Sequence, residues 1–432
     1  MTDSLNSPWL PWSVLFGLSL LARMLQGSWL APSAFVGLMW SVCSGLPLVA
    51  TKDHISPQCM WLLVGLIACL QMGAFVLLGP ATRQNTHLPL NPIGLAAMGD
   101  RCLRFSLYFA AAALLGGVIY AAIWLRNLGL SFSLNGFFSL GSIMYDIIVG
   151  GEPDPWWYRL LRMWVFPSVL LGGFAAPLVQ SRRKKLLTLS GFVPSLLMGT
   201  AIASRFATLV AIACWMSGYL SMKCFLSRGR FRVTPKFAGA LLVIALTAVA
   251  MFVGLYAVRG SISQDDSEAS VKIASDILSY LAVFDRYVRT DEPHPLGFGV
   301  YTVGGVFEFL GVKNRVRNLD WEPIDLEGGI SSNIYTAFRG LIDDFSLVGS
   351  MFLCLIAGAL VGRAYGQLCS GKISSLWVLA AYYAFVLFSP IVSAFYYNSV
   401  PLSLFVGALV LRGSKFSLLS RDRVPAPIAR PV

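Results

Sequence analysis

Charged side chains are scarce in this chain. Only 12% of its 432 residues are Asp, Glu, Lys or Arg, whereas 56% are hydrophobic. This composition excludes an ordinary soluble globular domain, in which about a quarter of the residues are charged. The apolar residues come in stretches of roughly 17 to 25, the length with which a helix crosses about 30 Å of hydrocarbon. The sequence therefore predicts an all-α, polytopic transmembrane helical bundle.

About eleven spans are predicted from the apolar stretches. They lie near 8–24, 28–49, 57–79, 101–124, 159–180, 186–202, 206–222, 236–257, 345–366, 374–393 and 398–412. Three parts are predicted from these spans. Residues 1–257 contain the first eight transmembrane helices and a smaller outer loop at 125–158. Residues 258–344 form a large loop that contains helices, and residues 345–432 contain the last three transmembrane helices and a cytoplasmic tail. No charged segment with a small-residue cleavage site marks the first span, so we expect it to be retained.

Cysteine is absent from the large loop. All eight cysteines lie in or beside predicted spans, so no disulfide framework is expected. No grouping of His, Cys, Asp and Glu has the spacing of a metal site, and no Gly-Lys-Ser/Thr sequence follows the glycines of the loop. We therefore predict neither a metal nor another cofactor.

Acidic residues are scarce outside the large loop, which holds 14 of the 21. Lys and Arg instead cluster at the ends of spans, in 182–185, 223–236 and 412–423. Because basic residues flank spans on the cytoplasmic side, this pattern places the large loop on the outer face. It also accounts for the net charge of +12 without any nucleic-acid partner.

A helix is predicted from 267 to 290, where apolar residues recur every three to four positions. Plain packing on the membrane domain accounts for that apolar face. Asp285 and Arg289 stand four apart at its end, with Arg286 beside them. Such residues form either a solvated ion pair or an anion site, because a guanidinium matches phosphate oxygens.

Two further features are weaker signals. Gly297 and Gly299 allow the loop to turn or to approach a ligand closely. Arg205 stands alone between two short spans, where its side chain either reaches the membrane interface or faces a cavity and binds an anion. No acidic partner flanks it, which favours anion binding.

The stretch 331–365 resembles the junction between outer loop and membrane in bacterial oligosaccharide repeat-unit polymerases, the Wzy-type O-antigen and exopolysaccharide polymerases. In that family an Asn, an aromatic residue and a Thr precede an acidic-Phe-Gly turn and a Gly-containing span. The matching positions here are Asn333, Tyr335, Thr336, Asp344, Phe345 and Gly349. Ser346 stands where the turn usually has Gly. Ser204 and Arg205 resemble a second feature, a small residue, more usually Gly, before an Arg at the outer end of a middle span.

The resemblance implies a place in the bacterial inner membrane, with the large loop in the periplasm. The implied substrate is an oligosaccharide on undecaprenyl pyrophosphate, and the implied reaction transfers the growing glycan to a sugar hydroxyl of the next lipid-linked repeat. A protein that regulates chain length is an implied partner.

Such a reaction needs cations for the leaving pyrophosphate, a base for the hydroxyl proton and an apolar groove for the polyprenyl tails. The candidate pyrophosphate ligands are Arg205, Arg286, Arg289 and Arg339. The candidate bases are Asp285, Glu308, Asp343 and His294. The candidates for other substrate contacts are Asn333, Tyr335 and Thr336.

Two other functions remain open. An O-antigen ligase delivers glycan to lipid A core and resembles this architecture; His294 and Gly305 could match a His and a Gly of its outer loop, but Pro295 stands where a small polar residue is expected. A polysaccharide or lipid transporter would have an internal repeat and charges near the bilayer midplane. Neither feature is found in the predicted spans.

Overall fold

A computed structural model describes residues 7–50, 55–77, 91–149, 155–201, 205–235, 239, 250, 278–290, 295–312, 324–326, 330–332 and 334–413. The helices are α1 (Trp9–Gln26), α2 (Pro32–Ala50), α3 (Pro57–Val76), α4 (Pro92–Asn127), α5 (Leu134–Val149), α6 (Trp156–Arg162), α7 (Val165–Ala175), α8 (Arg182–Leu187), α9 (Phe192–Ala201), α10 (Arg205–Ser227), α11 (Tyr280–Arg289), α12 (Val300–Phe309), α13 (Ala337–Cys369), α14 (Leu376–Phe388) and α15 (Ser399–Arg412). Short 3₁₀ turns lie at Ile373–Ser375 and Ala394–Tyr396. Strands β1 (Ile324–Leu326) and β2 (Ile330–Ser332) pair antiparallel within the large loop.

Five of these helices are long and apolar enough to cross a membrane: α2, α3, α4, residues 207–227 of α10, and α13. Their beginnings follow local signals, since Ser56 caps α3 and Asn91 caps α4, each followed by a proline at the first helical position. The structure therefore confirms a helical protein whose longest apolar helices could cross a membrane. The count of about eleven spans stays a prediction.

The core lies where α3 packs against α13 with almost no side chain between the two backbones. A side-chain carbon added at Gly73 of α3 would clash with the carbonyl oxygen of Leu355, and one at Gly358 of α13 would clash with that of Leu70. Small residues at such contacts are typical of helix pairs in membranes, where close approach maximises van der Waals contact.

Two predicted spans differ from the observed helices. The stretch 159–180 is interrupted between α6 and α7, because Pro167 has no backbone N–H to donate to the carbonyl group four residues earlier. Within 186–202 the short helix α8 ends at Leu187 and α9 begins only at Phe192, so the predicted span is interrupted near its start; α9 is described as far as Ala201. The predicted span 236–257 lies almost wholly outside the described residues.

The helix α13 begins at Ala337 and therefore contains the last residues of the predicted large loop. Its backbone leaves the helical conformation at Ser346, where φ is 62° and ψ is 173°. The predicted start of this span, at 345, thus coincides with a kink inside one long helix. Arg339, Asp343 and Asp344 lie on the helical turns before that kink.

The last helix, α15, connects two opposite ends of the bundle. Asn398, just before α15, lies so close to Gly305 of α12 that a side-chain carbon on this glycine would clash with its backbone. Gly413, just after α15, accepts a hydrogen bond from Arg101 near the start of α4. Gly305 of the large loop and the basic residue Arg101 are therefore at opposite ends of α15.

Candidate functional site

Asp285 joins α11 to the start of α3. Its carboxylate is fully buried, and Oδ1 accepts hydrogen bonds from the backbone N of Ser56, at 3.0 Å, and from the Ser56 hydroxyl. Oδ2 forms an ion pair with the Arg289 guanidinium. A buried carboxylate requires such partners, because water no longer solvates it. The predicted pair of Asp285 and Arg289 therefore exists, with the acid inside the protein rather than in solvent.

Two arginines of α11 are accessible at this end of the helix. Arg286 is exposed, and the Arg289 side chain is 49% exposed, whereas the Asp285 side chain is 1% exposed. The two arginines are three residues apart, so they lie on neighbouring positions of the helix surface. Among the described residues here, the guanidinium groups are thus accessible and the carboxylate is buried.

Tyr287 connects α11 to α13. Its hydroxyl lies 2.5 Å from Oδ1 of Asp343, whose Oδ2 lies 3.3 Å from Nε of Arg339. The Arg339 guanidinium also packs against aromatic rings, 3.6 Å from the ring centroid of Tyr335 and 4.6 Å from that of Tyr287. Arg339 and Asp343 are both buried, so α13 holds this cation and its carboxylate out of bulk water.

Tyr287 is a residue of this site that is absent from the predicted candidates. The available signal is its position three residues after Phe284, on the apolar side of the helix, where a tyrosine hydroxyl needs a partner. Burial raises the pKa of the Tyr287 phenol, and the hydrogen bond to Asp343 raises it further. The phenol therefore remains a neutral donor to the carboxylate at physiological pH.

Asp344 caps the beginning of α12. Its Oδ1 lies 3.2 Å from the backbone N of Tyr301 and its Oδ2 lies 2.7 Å from that of Thr302. A carboxylate is favourable there because the first N–H groups of a helix have no partner in the helix. The preceding turn docks on the same segment, since Gly297 and Phe298 donate backbone hydrogen bonds to the carbonyl groups of residues 343 and 344.

An apolar cavity of about 440 Å³ begins on the same turns of α13, where Leu341 and Phe345 line it. Its lining on α13 extends from Leu341 to Val361, which corresponds to roughly 30 Å of helix. Thr302 of α12 and Phe385 of α14 also contribute. The cavity therefore reaches from the segment that carries Asp343 into the membrane-spanning part of α13.

The remaining predicted residues are only partly described. Thr336 is fully buried just before α13, and within the described residues its hydroxyl has no hydrogen-bond partner. Glu308 is half-buried on α12, and Arg205 is the first residue of α10. Asn333 and His294 lie outside the described residues. Within the part of the chain that the structure describes, no group of three His, Cys, Asp or Glu side chains could hold a metal ion.

No protein-family model matches the chain, and searches of curated proteins and of solved structures find no similar protein.

Proposed function

We propose that this protein polymerises lipid-linked oligosaccharide repeat units, transferring the growing glycan from undecaprenyl pyrophosphate to a sugar hydroxyl of the next lipid-linked repeat. The observation that carries the proposal is that one stretch of α13 carries the buried Arg339–Asp343 pair and also, at Leu341 and Phe345, the first residues that line an apolar cavity. A polyprenyl pyrophosphate combines a dianionic headgroup with a long apolar tail. A site for it therefore needs both features side by side.

The proposal includes a topology. The chain crosses the bacterial inner membrane about eleven times, and the loop 258–344 faces the periplasm. Support comes from the distribution of charge, since the basic end around Arg101 is opposite the end that carries Asp285. A protein that regulates chain length is a proposed partner.

Arg286 and Arg289 contact the pyrophosphate in this proposal, because Arg286 is exposed, the Arg289 side chain is 49% exposed, and a guanidinium matches phosphate oxygens. Developing negative charge on the leaving group is stabilised best by donors that are already in position. Asp285 holds Arg289 in place and has no exposed oxygen for a substrate hydroxyl. Asp343, whose side chain is 5% exposed against 1% for Asp285, is the proposed base, with its orientation maintained by Tyr287 and Arg339.

The tail of the lipid carrier occupies the cavity between α13 and α14. Its lining is almost wholly apolar, and transfer of a prenyl chain into it is favourable at about 25 cal/mol per Å² of apolar surface. The headgroup then lies near Thr302 and Leu341, where α12 meets α13.

The test is to delete the gene and to complement with Arg286→Ala/Arg289→Ala, examining the surface polysaccharide on a gel. The matched control is Arg232→Ala/Arg363→Ala, which removes two exposed arginines elsewhere in the chain. The deletion should leave lipid A core capped by a single repeat, the first variant should shorten or abolish the ladder, and the control should restore it, all at equal protein levels in the membrane.

Other outcomes would contradict the proposal. Uncapped core with long glycan still on its lipid carrier would indicate a ligase. Single repeats retained on the cytoplasmic side of the membrane would indicate a transporter.

A further inference from the structure

We propose that the segment 182–189, formed by α8 and the turn after it, binds the headgroups of anionic phospholipids. The site lies at the end of the bundle opposite the candidate catalytic cluster, and the proposal does not depend on the proposed function. It rests on charge, on exposed apolar side chains and on the way this segment is attached to the bundle.

The segment carries four consecutive cations, Arg182 to Lys185, all exposed. One of them has an acidic partner, since Nζ of Lys184 lies 2.7 Å from Oδ1 of Asp100 on α4. Among the described residues, Arg182, Arg183 and Lys185 form no ion pair. Like charges spaced this closely on a helix repel one another, and a bound anion relieves that repulsion.

Exposed leucines accompany the cations. Leu186 is 64% exposed and Leu189 is 42% exposed, and they are three residues apart. If the site bound only a free anion, these leucine side chains would stay in water and would contribute no favourable free energy to binding. Cations with neighbouring apolar side chains are instead typical of segments that lie in the membrane interface, where leucine enters the acyl region and Lys and Arg meet lipid phosphates.

The end of the segment is attached firmly to the transmembrane helices. Thr188 is buried, its hydroxyl donates to the carbonyl oxygen of Lys185 at 2.6 Å, and its own carbonyl oxygen accepts from Nε1 of Trp215 on α10 at 3.3 Å. That carbonyl oxygen also lies against Gly172 of α7, where a side-chain carbon would clash. The cations are thus presented on a rigid support rather than on a free loop, which reduces the entropy lost when a lipid binds.

The test uses the purified full-length protein in dodecyl maltoside micelles that contain increasing mole fractions of phosphatidylglycerol, with the apparent Tm recorded at one scan rate. The variant Arg182→Gln/Arg183→Gln/Lys185→Gln leaves Lys184 to hold Asp100. Removing three cations from an anionic lipid surface should weaken binding roughly a hundredfold, so the rise in Tm seen for the wild type should disappear.

Three comparisons make the result specific. The control Arg232→Gln/Arg363→Gln/Lys372→Gln removes the same charge from other exposed positions and should retain the rise. The variant Arg182→Lys/Arg183→Lys should retain it too, because charge is conserved. Leu186→Ser/Leu189→Ser should reduce it, because the apolar contact is lost.

Phosphatidylcholine and inorganic phosphate should each leave the wild-type Tm unchanged. The proposal would be overturned if the glutamine variant of 182–185 kept the full rise, or if the control lost it equally, which would indicate diffuse electrostatics. It would also be overturned if inorganic phosphate alone reproduced the rise, which would indicate a site for a free anion.

Discussion

Replacing Tyr287 by Phe removes one hydroxyl group and leaves the ring in place. Asp343, whose side chain is 5% exposed, then loses a donor at 2.5 Å, and among the described residues its carboxylate keeps the longer contact with Nε of Arg339, at 3.3 Å. A hydrogen bond to a charged group contributes about 1.5–3 kcal/mol. We therefore expect the free energy of unfolding to fall by about 2 kcal/mol, roughly 30-fold in the folding equilibrium constant. The contact between the residue 287 ring and the Arg339 guanidinium does not contribute to this difference, because Phe retains the ring.

The assay is reversible unfolding in dodecyl maltoside micelles with increasing mole fractions of sodium dodecyl sulfate. A cycle of Tyr287→Phe, Asp343→Ala and the double variant isolates the interaction between the hydroxyl and the carboxylate. Tyr108→Phe is the matched control, since this tyrosine of α4 is 67% exposed, and its effect should stay within about 0.5 kcal/mol. A coupling energy below about 0.5 kcal/mol would refute the reasoning, because the two groups would then contribute independently.

Three further changes test other parts of the structure. Ser346→Gly should raise the free energy of unfolding by about 1 kcal/mol in the same titration, because φ of 62° with ψ of 173° is favourable only for glycine; a decrease would contradict this. Gly73→Ala should lower the apparent Tm through the clash with Leu355, whereas Gly17→Ala, which has open space around it, should be neutral or stabilising; equal effects would contradict the close packing of α3 and α13. Tyr287 should contribute its full stability below about pH 10, the pKa of a free tyrosine, and less as the pH rises above it, because the folded protein raises the pKa of its phenol; unfolding titrations at several pH values should show that this loss is absent in Tyr287→Phe.

The helix predicted in the large loop shows how much structure the spacing of apolar residues can predict. Its described part, α11, is helical as predicted, and Leu281 and Phe284 of the predicted apolar face are fully buried. Tyr280 and Val283 are buried as well, so this half of the helix is enclosed rather than laid on a surface. The reason is tertiary, since α11 packs against α2, α3 and β1, and no local pattern indicates which elements cover a helix from the other side.

The acidic residues show what the local sequence does not predict, namely the partners of each side chain. Asp285, Asp343 and Asp344 all lie in the predicted outer loop, and nothing in their local sequence shows which partners hold them. In the structure one is held by Ser56, 229 residues away, one by Tyr287, 56 residues away, and one caps α12. Their chemical environments therefore depend on partners that are distant in the chain.

The sequence by itself determined three properties. It showed that this is a helical membrane protein, where the long apolar helices lie in the chain, and at which ends of them the basic residues cluster. These properties follow from hydropathy and charge summed over neighbouring residues, because the bilayer selects for local length and polarity. Only the tertiary structure decided which carboxylates are buried, that Tyr287 joins α11 to α13, and that an apolar cavity begins at Leu341 and Phe345 of α13. Those properties depend on long-range packing, which places side chains from separate helices within hydrogen-bonding distance and which hydropathy does not specify.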